Sequence, residues 1–166
     1  MAFFSRPAQR DRSRTLRVYQ KMSRFPLGKR LYSFMVGFYA PYTSTIGARV
    51  EELRPGHCAV IMKDRRKARN HLRTVHAAAL CNLCETTMGL LADVTIPPRL
   101  RWIPAEMEIR YLKKARGTLR AEGSMETEGP YPEHIPITVE ITDRGGAAVA
   151  RAVITILATE YSAGAR

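Results

Sequence analysis

The clearest structural signal in this chain is the run His76-Ala-Ala-Ala-Leu-Cys-Asn-Leu-Cys-Glu-Thr-Thr-Met-Gly-Leu90. Its only charged residue is Glu85, and no proline interrupts the pattern before Asp93. A helix that is apolar nearly all the way round is expected to be buried on most of its sides. We therefore predict one long central helix from His76 to Asp93.

Strand-like segments lie on both sides of that helix. Before it, Thr43–Leu53 and Cys58–Met62 are β-favourable runs separated by Arg54-Pro55-Gly56, a pattern typical of a hairpin. One long helix among consecutive antiparallel strands is an α+β layout, so we predict the helix at the centre of a six-stranded antiparallel sheet that wraps around it. Four more strands, which we expect short turns to join, are predicted after the helix at Trp102–Leu112, Gly117–Glu126, Ile135–Thr142 and Ala147–Thr159.

A length of 166 residues predicts a single folded domain with shorter flanking segments. We divide the chain into a frayed basic arm (1–14), N-terminal helices that pack on the domain (15–41), the α+β domain (42–160) and a short tail (161–166). No signal peptide is apparent, and the longest nearly apolar stretch, Leu31–Pro41, is about half of a membrane span. Three cysteines make no disulfide framework, so we expect a cytoplasmic protein.

The positive charge is confined to the first half of the chain. Residues 1–73 carry 17 Lys and Arg against 4 Asp and Glu, whereas residues 74–166 carry 10 against 11, which together give the net +12. Such a half-chain asymmetry is compatible with an anionic membrane surface, a polyanionic ligand or a plain solvated surface. The basic arm lacks the interleaved aromatic residues of a base-stacking platform, so no specific nucleic-acid partner is expected.

Two parts of the central helix have the properties of a catalytic site. With Thr74 as N-cap, the first-turn N–H groups, including that of Ala77, lack intrahelical partners and can stabilise a carbonyl oxygen that gains negative charge. Burial would raise the pKa of Glu85 towards the range in which a general base or nucleophile works at neutral pH. The alternative for Glu85 is a structural carboxylate hydrogen-bonded to Thr86 or to a tyrosine or arginine elsewhere.

The spacing of these two parts requires a second chain. His76 and Glu85 are nine residues apart, which is about 13 Å along a helix axis. Two antiparallel copies of the helix could each supply the end that the other lacks. The catalytic interpretation therefore predicts an isologous homodimer, with a dimer of dimers (a homotetramer) left open.

Asn70, His76 and Glu85 have a spacing that resembles that of the hotdog-fold acyl-CoA thioesterases of the phenylacetate-degradation type. In that family an Asn is followed after six residues by His-Gly-Gly and, nine residues after the His, by Asp or Glu. The run Tyr111–Gly117 resembles a sheet turn of the family, and the likeness extends over about Tyr42–Thr159. The resemblance implies a hotdog fold, Glu85 as base or nucleophile, Ala77 as oxyanion donor, and Asn70 holding the attacking water or the carbonyl. This sequence has Ala77-Ala78 where the family has Gly-Gly, which crowds the approach of substrate at Ala78.

The basic loop Lys63–Arg73 runs into the predicted site. Its cations Lys67, Arg69 and Arg73 are candidates for pairing with the phosphates of coenzyme A, although a solvated loop explains them equally well. Coenzyme A enters only as part of the substrate, and no cofactor is expected. Cys81 and Cys84 lie within the helix and are interpreted as core thiols rather than as a metal site.

The sequence therefore predicts an acyl-CoA thioesterase in which Glu85 assists the attack of water at a dimer-interface site. One alternative is a non-catalytic hotdog module that binds acyl thioesters or lipids. Others are a hotdog dehydratase, for which no matching spacing is found, and binding of nucleic acid or an anionic membrane through the arginine-rich arm. A longer acyl chain is suggested by apolar residues of the N-terminal helices, namely Phe25, Leu27, Leu31, Phe34 and Phe38.

Overall fold

The computed structural model describes residues 14–160 as an antiparallel sheet with a long helix on its concave face. The helices are α1 (Arg14–Met22), α2 (Gly28–Tyr39), α3 (Pro41–Ser44) and α4 (Ala77–Thr95), with a 3₁₀ turn at Arg66–Ala68. The strands are β1 (Arg49–Arg54), β2 (His57–Met62), β3 (Leu100–Tyr111), β4 (Leu119–Ser124), β5 (His134–Thr142) and β6 (Ala148–Glu160). The predicted α+β hotdog architecture, with six strands around one helix and N-terminal helices outside, is confirmed.

The strands are ordered β1-β2-β4-β5-β6-β3, and every neighbouring pair is antiparallel. The β1–β2 hairpin turns at Gly56, whose φ of 78° is a conformation that glycine adopts without steric cost. The expectation that short turns join the last four strands holds only between β5 and β6, because seven residues separate β3 from β4 and nine separate β4 from β5. β3 pairs with β6 at one edge of the sheet, so the segment after Tyr111 crosses to β4 in the middle.

The core lies between α4 and the concave face of the sheet. On β5, four apolar side chains alternate inward, and all four are buried: Ile135, Ile137, Val139 and Ile141. α4 packs closely on the sheet at Gly123 of β4. A Cβ there would stand 3.1 Å from Thr87 Cγ2 and 3.2 Å from Leu91 Cδ2, so a side chain would push the helix away.

The N-terminal helices pack on β1 and on the end of α4. Tyr19 and Tyr32 meet edge to face with ring centroids 5.1 Å apart, and the Tyr19 hydroxyl donates to the Glu51 carbonyl at 2.8 Å. The Thr15 hydroxyl reaches Asp93 near the C-terminal end of α4. No helix within residues 14–160 is long and apolar enough to span a membrane.

Some predicted boundaries differ from the observed ones. The strand predicted from Thr43 begins at Arg49, because Pro41 starts the short helix α3. The arm assigned to residues 1–14 lies outside the described residues except for Arg14, and the tail at 161–166 lies outside them entirely.

Candidate functional site

His76, rather than Thr74, caps the N-terminus of α4. Its backbone is extended, and its Nδ1 accepts a hydrogen bond from the Ala78 N–H at 3.0 Å. The carbonyl of His76 accepts the N–H groups of Ala79 and Leu80. Within residues 14–160 nothing accepts a hydrogen bond from the Ala77 N–H, so this donor is left free at the positive end of the helix.

Thr74 is buried and instead takes part in a loop organised by Asn70. Asn70 Oδ1 accepts the N–H groups of Leu72 at 3.0 Å and Thr74 at 3.2 Å, and its Nδ2 donates to Thr74 Oγ1 at 3.0 Å. Between them Arg73 takes a φ of 56°, a left-handed conformation that costs a non-glycine residue about 1 kcal/mol. The Asn70 amide thus holds a tight loop that directs the chain into α4.

The cations of the basic loop lie beside the same helix end. The His76 N–H donates to the Ala68 carbonyl at 2.8 Å, which brings the 3₁₀ turn against the cap. Arg69 Nε is 2.6 Å from Asp64 Oδ1, and this hydrogen bond lowers the pKa of the Asp64 carboxyl. Lys67 and Arg73 are exposed and make no ion pair within residues 14–160.

The crossover from β3 to β4, whose sequence resembles a sheet turn of the family, completes this end of the molecule. The Val75 N–H donates to the Ala115 carbonyl at 2.9 Å, and Ala115 is buried. On either side of it Lys114 and Arg116 are exposed, adding cations that the sequence argument missed. The sequence signal for this segment is Ala115 itself, a small apolar residue between two cations, which indicates a segment packed against the rest of the domain.

Glu85 is exposed in this chain, so the prediction that it is buried is wrong for the single protomer. It lies two turns along α4 from the cap, at a groove of about 450 Å³. Beside it Asn82 is buried, with its Nδ2 donating to the Tyr42 carbonyl at 3.0 Å. The groove is otherwise mainly apolar, and its walls include Val36, Tyr42, Met88, Leu90, Trp102 and Pro104, which the sequence argument did not assign to the site.

Comparison with known proteins places this chain in a family. The model of the domain of unknown function DUF4442 matches residues 28–158, more than three quarters of the chain. The chain belongs to the DUF4442 family. No curated protein matches it.

Solved structures similar to this DUF4442 chain share its fold. The structural-genomics target APC5556 is 33% identical with a TM-score of 0.78, over 89% of this chain and 99% of that one. A hypothetical thioesterase from Streptococcus pneumoniae, solved with coenzyme A, is 26% identical with a TM-score of 0.59. The match covers 70% of this chain and 91% of that one. A probable thioesterase from Pseudomonas aeruginosa, 23% identical over 82% and 97% with a TM-score of 0.70, has the same fold.

One stripe of α4 in this DUF4442 chain is left uncovered by its own sheet. Its members recur about every four residues along one face and are exposed or only half-buried: Ala77, Ala78, Cys81, Glu85, Gly89 and Asp93. The free Ala77 N–H and the Glu85 carboxylate therefore share a face but lie about 12 Å apart along the axis. A single chain brings Asn70, His76, Ala77 and the cations together and leaves Glu85 separate.

The two helix cysteines differ in environment, contrary to their joint assignment to the core. Cys84 is fully buried, which raises the pKa of its thiol to about 12. Cys81 is half-buried on the uncovered stripe, with its Sγ 3.1 Å from the Tyr111 hydroxyl of β3. Burial and this contact raise the pKa of Tyr111 to about 12.

Within residues 14–160 no three His, Cys, Asp or Glu side chains form a group that could hold a metal ion.

Proposed function

We propose that this protein is an acyl-CoA thioesterase whose active site forms between two copies of the chain. The observation that carries the proposal is that Glu85 and the free Ala77 N–H lie on one uncovered stripe of α4. Supporting it, a structure 26% identical to this chain is a hypothetical thioesterase with coenzyme A. The fold is also shared with the probable thioesterase from Pseudomonas aeruginosa.

The dimer follows from the geometry of the stripe. If two antiparallel α4 helices are related by a two-fold axis, Ala77 of one lies level with Glu85 of the other only when the axis passes near residue 81. The small side chains of Ala77, Ala78 and Gly89 allow close approach of the helices. β3 pairs with β6 on one side only, so its outer edge, beside this stripe, is available to the same contact.

The proposed reaction is hydrolysis of the thioester. Glu85 takes a proton from water as the water oxygen attacks the carbonyl carbon, and the Ala77 N–H of the other protomer stabilises the oxygen that becomes negative. The carbon–sulfur bond then breaks, and the coenzyme A thiolate leaves and receives the proton. Direct attack by Glu85, with water hydrolysing the resulting anhydride, is the other route open to the same residue.

The remaining residues position the substrate in this proposal. The second N–H of Asn70 Nδ2 holds the carbonyl or the water, while Lys67 and Arg73 pair with coenzyme A phosphates. Arg69 contributes through its Asp64 partner, which fixes the loop. Ala78 borders the entry, and the apolar groove beside Glu85 accepts the acyl chain.

The test is whether the purified protein hydrolyses a panel of acyl-CoA substrates of different chain lengths. Hydrolysis is measured by the release of the coenzyme A thiol. Glu85→Gln keeps the shape of the side chain but removes the base, so we expect kcat to fall about 10²- to 10⁴-fold with little change in KM. Glu133→Gln, the same substitution at an exposed glutamate in the β4–β5 connection, is the matched control.

A non-catalytic acyl-thioester-binding module is the second candidate. Ala77-Ala78 favours it, because each Cβ narrows the approach to the helix end. If Glu85→Gln stays within about threefold of the unmodified protein while acyl-CoA still binds, the binding module becomes the better function.

A further inference from the structure

The outward face of α2 carries a continuous apolar stripe. Successive helix residues are rotated by about 100°, so Leu31, Phe34, Met35 and Phe38 fall within roughly 100° of its circumference. All four are exposed, Phe34 at 72% and Phe38 at 78%. Tyr32, beside the stripe on the face that packs against the domain, is 3% exposed, so α2 is packed on one side while its apolar stripe is exposed to solvent.

The turn before α2 extends this stripe into a projecting tip. Phe25 and Leu27 are 65% and 67% exposed. Leu27 has a φ of 64°, a strained conformation for a bulky residue, and it persists because α1 and α2 meet closely beside it. A Cβ at Gly28 would stand 1.7 Å from the Met22 carbonyl oxygen. The tight turn between α1 and α2 therefore keeps the apolar side chains of Phe25 and Leu27 exposed to solvent.

Cations dominate the surroundings of this apolar surface, although one of them, Arg49, pairs with the Glu51 carboxylate. Residues 14–50 contain no aspartate or glutamate and seven basic residues, which are Arg14, Arg17, Lys21, Arg24, Lys29, Arg30 and Arg49. Arg30 borders the stripe, and Lys63 and Arg65 line a cavity of about 640 Å³ together with Phe34 and Phe38.

We propose that the tip and the α2 stripe dock on an anionic lipid bilayer, with Phe25, Leu27, Leu31, Phe34 and Phe38 entering the interface. The positive charge around this surface favours an anionic bilayer over a second copy of the chain as the occupant. An isologous contact through this face would place its cations against one another without a carboxylate from residues 14–50. A bilayer that contains anionic lipid instead offers an apolar interior for the side chains of the stripe and negatively charged headgroups for the cations beside it. The proposal does not depend on thioesterase activity.

The experiment measures partition of the full-length protein onto vesicles by flotation. The vesicles are phosphatidylcholine alone or phosphatidylcholine with an equal share of phosphatidylglycerol, each at low and high salt. We expect binding to the anionic vesicles that weakens with salt. The variant Phe34→Ser/Phe38→Ser should bind at least about tenfold less, and Arg30→Gln about fivefold less at low salt.

Val153→Ser is the matched control, because Val153 is an exposed apolar residue on β6, outside this surface. It should bind like the unmodified protein. A second readout uses Phe38→Trp, whose fluorescence should be quenched by lipids with brominated chains beyond the quenching of the native Trp102. Circular dichroism of each variant verifies that the fold is kept.

Equal partition of the double serine variant and the unmodified protein would overturn the proposal, and so would equal binding to neutral and anionic vesicles. If neither vesicle binds the protein and the double serine variant instead changes its sedimentation from dimer to monomer, a second copy occupies the surface and the proposal is wrong. Vesicle binding that persists in Glu85→Gln separates this surface from the proposed catalysis.

Discussion

At the scale of single residues, neighbouring side chains of one type play different parts because their environments differ. Tyr19 and Tyr32 pack against each other, yet only the Tyr19 hydroxyl has an acceptor, the Glu51 carbonyl. The Tyr32 hydroxyl is buried without a hydrogen-bond partner within residues 14–160. Burial of an unpaired hydroxyl costs free energy that the phenyl ring of phenylalanine would not.

We expect Tyr32→Phe to raise the free energy of unfolding by about 1 kcal/mol, because it removes an unpaired buried polar group and keeps the ring. Tyr19→Phe, the matched substitution, should lower it by about 1 kcal/mol, because the Glu51 carbonyl loses a donor. Urea unfolding of the two variants measures both. A loss of stability in Tyr32→Phe would show that its hydroxyl has a partner.

The cap of α4 is a second residue-scale feature with a measurable consequence. His76→Ala removes the Nδ1 that accepts the Ala78 N–H and should destabilise the protein by about 1 kcal/mol. His76→Asn restores a side-chain acceptor and should recover most of that loss. The Ala77 N–H stays in place in both variants, so thioester hydrolysis should fall far less than in Glu85→Gln. Equal unfolding free energies for the Ala and Asn variants would contradict the capping role.

At the scale of elements, Asp64 holds the basic loop and the β3–β4 crossover together. Its carboxylate accepts Arg69 Nε at 2.6 Å and the Gly117 N–H at 3.2 Å. The hydrogen bond from Arg69 is the main cause that lowers the Asp64 pKa below its ordinary 3.8, with burial opposing it. One carboxylate therefore connects two segments that are far apart in the sequence.

This arrangement predicts an acid-sensitive contribution to stability. A carboxyl whose pKa is lower in the folded than in the unfolded state stabilises the fold fully above the unfolded value, and the contribution is lost as the pH falls through the folded one. Asp64→Asn should therefore cost about 1 kcal/mol near neutral pH. Its difference from the unmodified protein should shrink as the pH falls below 3.8. Urea unfolding across this pH range tests it, and a constant difference would refute it.

At the scale of the whole molecule, the uncovered stripe of α4 and the unpaired edge of β3 lie on the same side. The contact between Cys81 and Tyr111 joins the two elements directly. In the proposed dimer this side faces its own copy, and the two-fold axis passes near Cys81. Of the cysteines, Cys58 and Cys84 are buried, so Cys81 is the accessible thiol.

The dimer geometry predicts that two Cys81 side chains meet. A short bismaleimide should join two chains into a covalent dimer at micromolar protein, and Cys81→Ser should abolish the product. Cys58→Ser, a buried thiol on β2, is the control and should leave the cross-link unchanged. A monomer by light scattering, or a cross-link that survives Cys81→Ser, would exclude this two-fold arrangement.

Elements with local sequence signals could be predicted before any tertiary contact was known. The apolar run from His76 predicts α4, the alternation of Ile135 to Ile141 predicts β5, and Pro55-Gly56 predicts the hairpin turn, because each depends on periodicity or turn chemistry within a few residues. The spacing of Asn70, His76 and Glu85 likewise singled out one helix and the loop before it as the candidate site.

Which segments cover those elements became clear from the folded chain alone. The sequence does not state that β3 pairs with β6 at the sheet edge, since strand order depends on contacts between distant residues. For the same reason burial of α4 could not be assigned face by face: the sheet covers one side and leaves Glu85 exposed. The helix is capped by His76 and not by the predicted Thr74, because the Thr74 hydroxyl is hydrogen-bonded to Asn70 in the preceding loop. Local patterns fix which residues form an element, whereas exposure depends on the segments packed around it.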